Sequence, residues 1–185
     1  MRGLYLALAL GACAFSSAYP FFEEGEGVAA LGEGGAYVLF ESGERKDVFY
    51  QRAGAGYELA STVKGDAPLH VVFVPLEDTP QEDYVLQITP SPGEDARAYA
   101  FMWRADAEWI IATAPNVFAA DSAGRALLTE FCAERPHGEC QFSRREDLLA
   151  FYHRAIWPAF VSGGVRPEHY ISQGEAVSEP SRMEK

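Results

Sequence analysis

Residues 69 to 114 constrain the fold most, because they contain four predicted strands arranged as two hairpins. The first hairpin joins LHVVFVPL to YVLQITP through EDTPQED, and the second joins AYAFMWR to EWIIATA through ADA. Strands separated by so few residues pair in antiparallel fashion. The strand that begins at Leu69 is apolar on both faces, so it needs cover on both sides and is expected in a central position.

Three further strands are predicted ahead of this stretch. Residues 37–41 and 47–51 flank a Ser-Gly-Glu turn, and residues 57–63 alternate between apolar and polar side chains. Residues of the hydrophobic types make up 48% of the chain and charged residues 23%, which indicates a globular core and not disorder. The expected class is α+β: an antiparallel meander sheet of five to seven strands with a C-terminal helix packed on one face.

The C-terminal helix is predicted from a capping box followed by apolar residues at helical spacing. Ser143 and Glu146 are placed to satisfy two backbone amides at the start of the helix. The apolar positions that follow are Leu148, Leu149, Tyr152, Ala155 and Ile156. Pro158 is expected to limit the helix. An earlier segment, residues 121–131, fits a short helix, although residues 126–132 also fit a strand.

The first twenty residues, MRGLYLALALGACAFSSAYP, resemble a secretory signal peptide and are too short in apolar content to span a membrane. Two processing alternatives stay open. Ser16-Ser17-Ala18 fits ordinary cleavage that leaves Tyr19 as the first residue. Leu10-Gly11-Ala12-Cys13 instead resembles the bacterial lipobox, in which Cys13 is diacylated and becomes residue one. With Ala14 next to it, this resemblance implies the periplasmic face of the outer membrane; without lipid, the chain would be periplasmic or secreted.

Composition divides the chain into four regions. Residues 1–18 are expected to be a signal or lipoprotein-type export segment, and residues 19–35 a linker rich in glycine and glutamate. Residues 36–162 are expected to form a single globular domain. Residues 163–185 are polar and uncapped, and are expected to be a loose tail.

Cys132 and Cys140 are eight positions apart around a Pro-His-Gly turn. In an exported protein such a pair is expected to form a disulfide. The alternative adds His137, with His153 as a fourth ligand, to make a zinc site, but zinc ligands usually come in paired short motifs that are missing here. We therefore assign a disulfide and no metal.

Four aromatic residues stand out in the second hairpin. Tyr99, Phe101 and Trp103 share one face of a strand by parity, and Trp109 follows the turn. One interpretation is core packing across strands. The other is a ligand-facing strip that binds sugar rings or apolar molecules.

The charge and the motifs of the chain limit the classes of function that it can have. The chain carries 27 acidic and 15 basic residues, a net charge of −12, and it lacks the basic footprint that nucleic-acid binding requires. It contains no Gly-x-Ser-x-Gly elbow, so we assign no catalytic residue and no cofactor.

The expected function is that of an exported bacterial envelope protein: a non-enzymatic binding, assembly or structural module with an unknown protein or small-molecule partner. The alternatives are a small periplasmic hydrolase, or an inhibitor that uses its acidic N-terminal half.

Overall fold

Strands, nearly all paired antiparallel, hold more residues than helices in the computed structural model, which describes residues 15–41, 44–61, 68–77, 79, 82–89, 95–105, 108–112, 122–134, 140–162 and 169–172. The described strands are β1 (Phe15–Ser17), β2 (Gly34–Glu41), β3 (Glu44–Ala53), β4 (Gly56–Ser61), β5 (Leu69–Pro75), β6 (Asp83–Thr89), β7 (Arg97–Ala105), β8 (Glu108–Ala112), β9 (Ala133–Glu134), β10 (Cys140–Gln141) and β11 (His169–Ser172). The helical segments are a 3-10 turn (Glu24–Glu26), α1 (Ser122–Phe131), α2 (Arg145–Phe151), a π-helical turn (Tyr152–Ile156) and α3 (Trp157–Val161).

The strands form one mixed sheet that closes on itself. From β2 to β8, each strand pairs antiparallel with the next, and β11 pairs with both β8 and β2. These eight strands make a closed ring. The short strands β1, β10 and β9 branch from β7, and β1 runs parallel to β10. The described part of the chain therefore contains eleven strands, more than the five to seven expected, because strands of two to four residues show no usable periodicity.

Closure gives each strand of the ring an inner and an outer face, and each face carries its own core. On β7, Ala100 and Met102 point inward, whereas Phe101 and Trp103 point outward. The inner core is built by side chains of β4 to β8. The outer core joins the sheet to β1, α1 and the C-terminal helical segments.

The strand β5 is buried on both faces, as its sequence predicted. Val71 and Phe73 belong to the inner core, and Val72 and Val74 to the outer core. β5 pairs with β4 on one side and β6 on the other. Burial of each of these side chains contributes about 1.5–3 kcal/mol by area.

The C-terminal helix runs through α2, the π-helical turn and α3. The predicted start of this helix is wrong by one position, because Arg144 and not Ser143 is the N-cap. Arg144 makes no side-chain hydrogen bond as a cap, and Ser143 lies outside the helix. Arg144 instead donates to Asp147 from its guanidinium. The helix also continues past Pro158 to Val161. The π-helical turn ends at Ile156, two positions before Pro158, whose ring and missing N–H interrupt the regular backbone hydrogen bonds of the helix.

Two described strands and one long segment lie outside residues 36–162. β1 and β11 are both part of the sheet. Residues 19–35 pack against the ring: Phe22 is buried, Val28 donates to the carbonyl of Phe73 at 2.9 Å, and Gly34 and Gly35 begin β2. The glycine-rich composition predicted a linker because it hides the few apolar residues that make these contacts. Residues 163–168 and 173–185 lie outside the described residues.

A buried polar contact fastens the C-terminal helix to the sheet. The hydroxyl of Tyr152 donates to the carboxylate of Asp83, and both residues are buried. The Tyr152 ring also stacks on Phe101 with centroids 5.2 Å apart. Burial, and then the hydrogen bond to the Asp83 carboxylate, raise the pKa of Tyr152, so it stays protonated.

We expect Tyr152→Phe to lower the free energy of unfolding by about 1–3 kcal/mol, because the buried carboxylate loses a donor while the ring packing is kept. Urea denaturation near neutral pH measures this. The matched control is Tyr19→Phe, which removes a 2.7 Å bond from an exposed hydroxyl to the Ser143 carbonyl and should cost clearly less. Equal losses in the two variants would contradict the role given to the buried contact.

The pair Cys132 and Cys140 ties the end of α1 to β10. We expect replacing both with alanine to lower the free energy of unfolding by about 2–5 kcal/mol. A reducing agent should lower wild-type stability by a similar amount and leave the double variant unchanged. A wild-type protein whose free energy of unfolding is the same with and without the reducing agent would argue against the disulfide.

Candidate functional site

The two downstream cysteines lie together. The Cα atoms of Cys132 and Cys140 are 5.4 Å apart, which is disulfide distance. Cys132 follows α1, and Cys140 opens β10 next to β1. His137, the third ligand in the zinc alternative, lies outside the described residues. Among the residues that are described, no group of three or more His, Cys, Asp or Glu side chains is placed to hold a metal ion.

The four aromatic residues singled out by sequence fall on opposite faces of the sheet. Tyr99, Phe101 and Trp103 lie in the outer core under the helices, and each is almost fully buried. Trp109 is also buried but belongs to the inner core. The first three are therefore packing residues in this structure, and only Trp109 faces the interior of the ring.

Phe15 makes the N-terminal strand part of the core. Its side chain is 0% exposed and packs edge-on against Phe101 and Phe151, with ring centroids 5.6 and 5.4 Å away. β1 pairs with β7 on one side and β10 on the other, and the Ser16 carbonyl accepts a hydrogen bond from the Phe142 amide at 2.8 Å. The last residues of the predicted export segment thus fill the outer core.

A polar clamp holds the chain that follows β1. The Oε1 atom of Gln87 accepts from the amides of Phe21 and Phe22 at 3.0 and 3.1 Å, and Nε2 donates to the Phe22 carbonyl at 2.9 Å. The Tyr99 hydroxyl lies 2.9 Å from Ser17 Oγ and 3.3 Å from Gln87 Oε1. Because Gln87 and Tyr99 are buried on neighbouring strands, this clamp fixes residues 17–22 on the outer face.

At one end of the ring, five aromatic side chains from five strands form a continuous belt around the interior. The aromatic belt consists of Tyr50, Tyr57, Phe73, Tyr84 and Trp109. Consecutive ring centroids lie 5.8, 5.2, 6.1 and 5.9 Å apart in that order. All five sit where their strands meet the same end of the ring, since β3 and β5 end there and β4, β6 and β8 begin there.

Leu31 lies against this belt. Its amide donates to the Tyr57 hydroxyl at 3.0 Å, and its carbonyl accepts from the Tyr50 hydroxyl at 2.9 Å. Leu31 also packs against the inner core. The guanidinium of Arg52 lies over the Tyr57 ring, 5.3 Å from its centroid, with one nitrogen 3.5 Å from the Tyr57 hydroxyl. Apolar surface, two hydroxyls and a cation therefore meet at one place.

Sequence reasoning missed this site because its parts are dispersed. Tyr50, Tyr57 and Phe73 were expected on strands, but only closure of the sheet brings them into one belt. Leu31 ends the short apolar run Val-Ala-Ala-Leu inside the glycine-rich segment. That run, together with Phe21 and Phe22, was the available signal that residues 19–35 contact the domain.

No protein-family model, curated protein or solved structure matches the chain. In the part of the chain that the structure describes, none of the helices is both long and apolar enough to cross a membrane.

The clamp predicts an alkaline stability change. Burial raises the pKa of Tyr99 from 10.0 to about 12. Below pH 10 the hydroxyl is protonated whether the chain is folded or not, so its full contribution is present. As the pH rises from 10 to about 12, the unfolded chain loses the proton first, and stability falls by at most about 1.4 kcal/mol per pH unit.

We expect the difference in unfolding free energy between wild type and Tyr99→Phe to be constant below pH 10 and to shrink above it. Denaturant titrations at several alkaline pH values measure this, and taking the difference cancels other titrating groups. A difference that stays constant up to pH 12 would contradict the stated role of Tyr99.

Proposed function

We propose that the chain is an exported bacterial envelope protein, anchored by lipid on Cys13, that works as a non-enzymatic binding module. The observation that carries the proposal is the burial of Phe15 in the outer core. The two processing alternatives differ in whether this residue survives. Cleavage before Cys13 keeps it, and cleavage after Ala18 discards it.

Loss of residues 15–17 would damage the fold in two ways. Removing a fully buried phenylalanine leaves a cavity, which typically costs about 3–5 kcal/mol. Removing β1 also takes away the strand that connects β7 to β10 by backbone hydrogen bonds. A mature chain that begins at Cys13 avoids both losses. The packing therefore favours the lipobox alternative over ordinary cleavage.

The packing of β1 on the domain also limits the length of the chain between the lipid anchor and the domain. Only Ala14 separates Cys13 from β1, and two residue steps span at most about 7 Å. Residues 19–35 follow β1 and are fixed on the domain, so they do not contribute to the tether. The proposed anchor thus holds the domain close to the membrane, on the periplasmic face of the outer membrane.

The aromatic belt supports a binding role. A closed sheet of eight strands is wide enough either to be filled by its own side chains or to hold one small ligand. The belt adds apolar surface with hydroxyl groups and the Arg52 guanidinium at one end of this ring. This combination of apolar walls and few oriented polar groups is typical of small-molecule sites.

We expect intact mass measurement of the mature protein to show a diacylated Cys13 as the first residue. Phe15→Ala should then lower the free energy of unfolding by about 3–5 kcal/mol. The reason is that the substituted side chain remains in the mature chain and leaves a cavity among Phe101, Phe142 and Phe151.

Ser16→Ala is the matched control, because Ser16 is only partly buried and contributes its carbonyl, which the substitution keeps. The proposal fails if the mature protein starts at an unmodified Tyr19. In that case Phe15→Ala and wild type would yield the same mature chain and the same stability.

A further inference from the structure

The polar groups around Leu31 are arranged to receive an oxygen atom. The Tyr50 hydroxyl donates to the Leu31 carbonyl at 2.9 Å. The Tyr57 hydroxyl accepts from the Leu31 amide at 3.0 Å, and it can turn to donate when that amide leaves. Arg52 adds a charged donor 3.5 Å from the same hydroxyl. The Leu31 carbonyl oxygen therefore occupies the position that a ligand oxygen would take.

The chemistry of this set favours an anion. Two hydroxyls and a guanidinium match the acceptor oxygens of a carboxylate, and such charge-assisted hydrogen bonds are stronger than neutral ones. A second cation lies at the same end of the ring: the Arg104 guanidinium is 5.9 Å from the Trp109 ring centroid. Its other contact is an exposed ion pair to Glu82 at 3.6 Å, which is weak. Both cations stand out in a chain of net charge −12.

The surface below this polar set is apolar. Tyr57, Phe73 and Trp109 are buried and form the wall of the belt. Leu31 contributes the apolar side chain that now lies against the inner core. A ligand that replaces Leu31 therefore needs an apolar body attached to its anionic group.

The backbone next to Leu31 turns at a glycine. Gly32 has a φ of 81°, which glycine adopts without steric cost, and neither Gly25 nor Gly32 has another atom within 4 Å of its Cβ position. Between the clamp at Phe22 and the start of β2, the described hydrogen bonds from the backbone of this segment to the ring include the Val28 amide to the Phe73 carbonyl, the pair at Leu31, and the Arg52 amide to the Glu33 carbonyl at 2.8 Å. Displacement of Leu31 alone breaks the two hydrogen bonds of the pair.

We propose that the aromatic belt binds an amphipathic carboxylate, a molecule with one carboxylate and an unbranched or aromatic apolar body, in the place that Leu31 occupies. The carboxylate lies against Arg52 and the hydroxyls of Tyr50 and Tyr57, and the apolar body lies along the belt. This inference rests on the proposed function as a binding module and names its ligand class.

The test is calorimetric titration of the full chain carrying Cys13→Ser, with dodecanoate as the probe below its micelle concentration. Dodecyltrimethylammonium is the matched probe, because it has the same chain with a cationic head. Dodecanoate should bind at a single site, and the cation should bind at least about tenfold more weakly. Equal binding of both probes, or no binding of dodecanoate, would overturn the proposal.

Substitutions test whether dodecanoate binds at the aromatic belt. Arg52→Gln should weaken dodecanoate binding by about tenfold. Arg154→Gln removes the same charge from the helical face, where Arg154 pairs with Glu130, and should leave binding unchanged. Leu31→Ala should strengthen binding, by up to about tenfold, since it weakens the segment that competes for the belt. Equal effects of the two arginine substitutions would show that net charge, and not the belt, attracts the probe.

The outcome is separable from that of the proposed anchoring. Titration uses a chain that carries no lipid, whereas the mass of the mature protein reports on Cys13 alone. A chain that is acylated but binds neither probe would keep the anchor and lose this ligand class. Circular dichroism of each variant checks that the fold is retained.

Discussion

The pairing of β6 with β7, together with the position of β11 between β8 and β2, is the constraint on which the rest of the structure depends. It turns a strand meander into a closed ring and so separates an inner from an outer face. The buried apolar side chains described on β5 to β8 are then divided between two cores. Closure also satisfies the backbone groups that an open sheet would expose at its edges.

The outer face depends on parts of the chain that are distant in sequence. The C-terminal helix covers it through Tyr152, and β1 fills the remaining space with Phe15. The Cys132–Cys140 pair holds β10 in place, and β10 in turn pairs with β1. The proposed membrane anchor therefore lies two residues before a side chain that is fully buried in the outer core.

Sequence predicted the strands whose alternation is long enough to be seen. β2 to β8 all fall on predicted strands, and the two-sided burial of β5 follows from its apolar run. β1 and β11 could not be predicted, because three or four residues carry no period and their partners are remote. Closure itself is a non-local pairing that no local pattern encodes.

The candidate site was hidden for the same reason. Trp109 was singled out with residues of β7 that turn out to face the other core. The belt needs one side chain from each of five strands, so it exists only after the ring has closed. Leu31 was obscured by the glycine and glutamate around it, since average composition outweighs a single apolar residue.

The clamp formed by Gln87 and Tyr99 separates the part of the chain that must stay fixed from the part that a ligand would displace. Residues 17–22 must stay fixed, because they hold Phe15 in the core, whereas the proposed ligand must displace Leu31 a few residues later. Gln87 makes three hydrogen bonds to the backbone of Phe21 and Phe22. Just beyond them, Arg145 pairs with Glu26 at 2.7 Å on the surface of the helix. These contacts all precede Leu31 in the chain, so displacement of Leu31 leaves them in place and the strand next to the anchor keeps its packing.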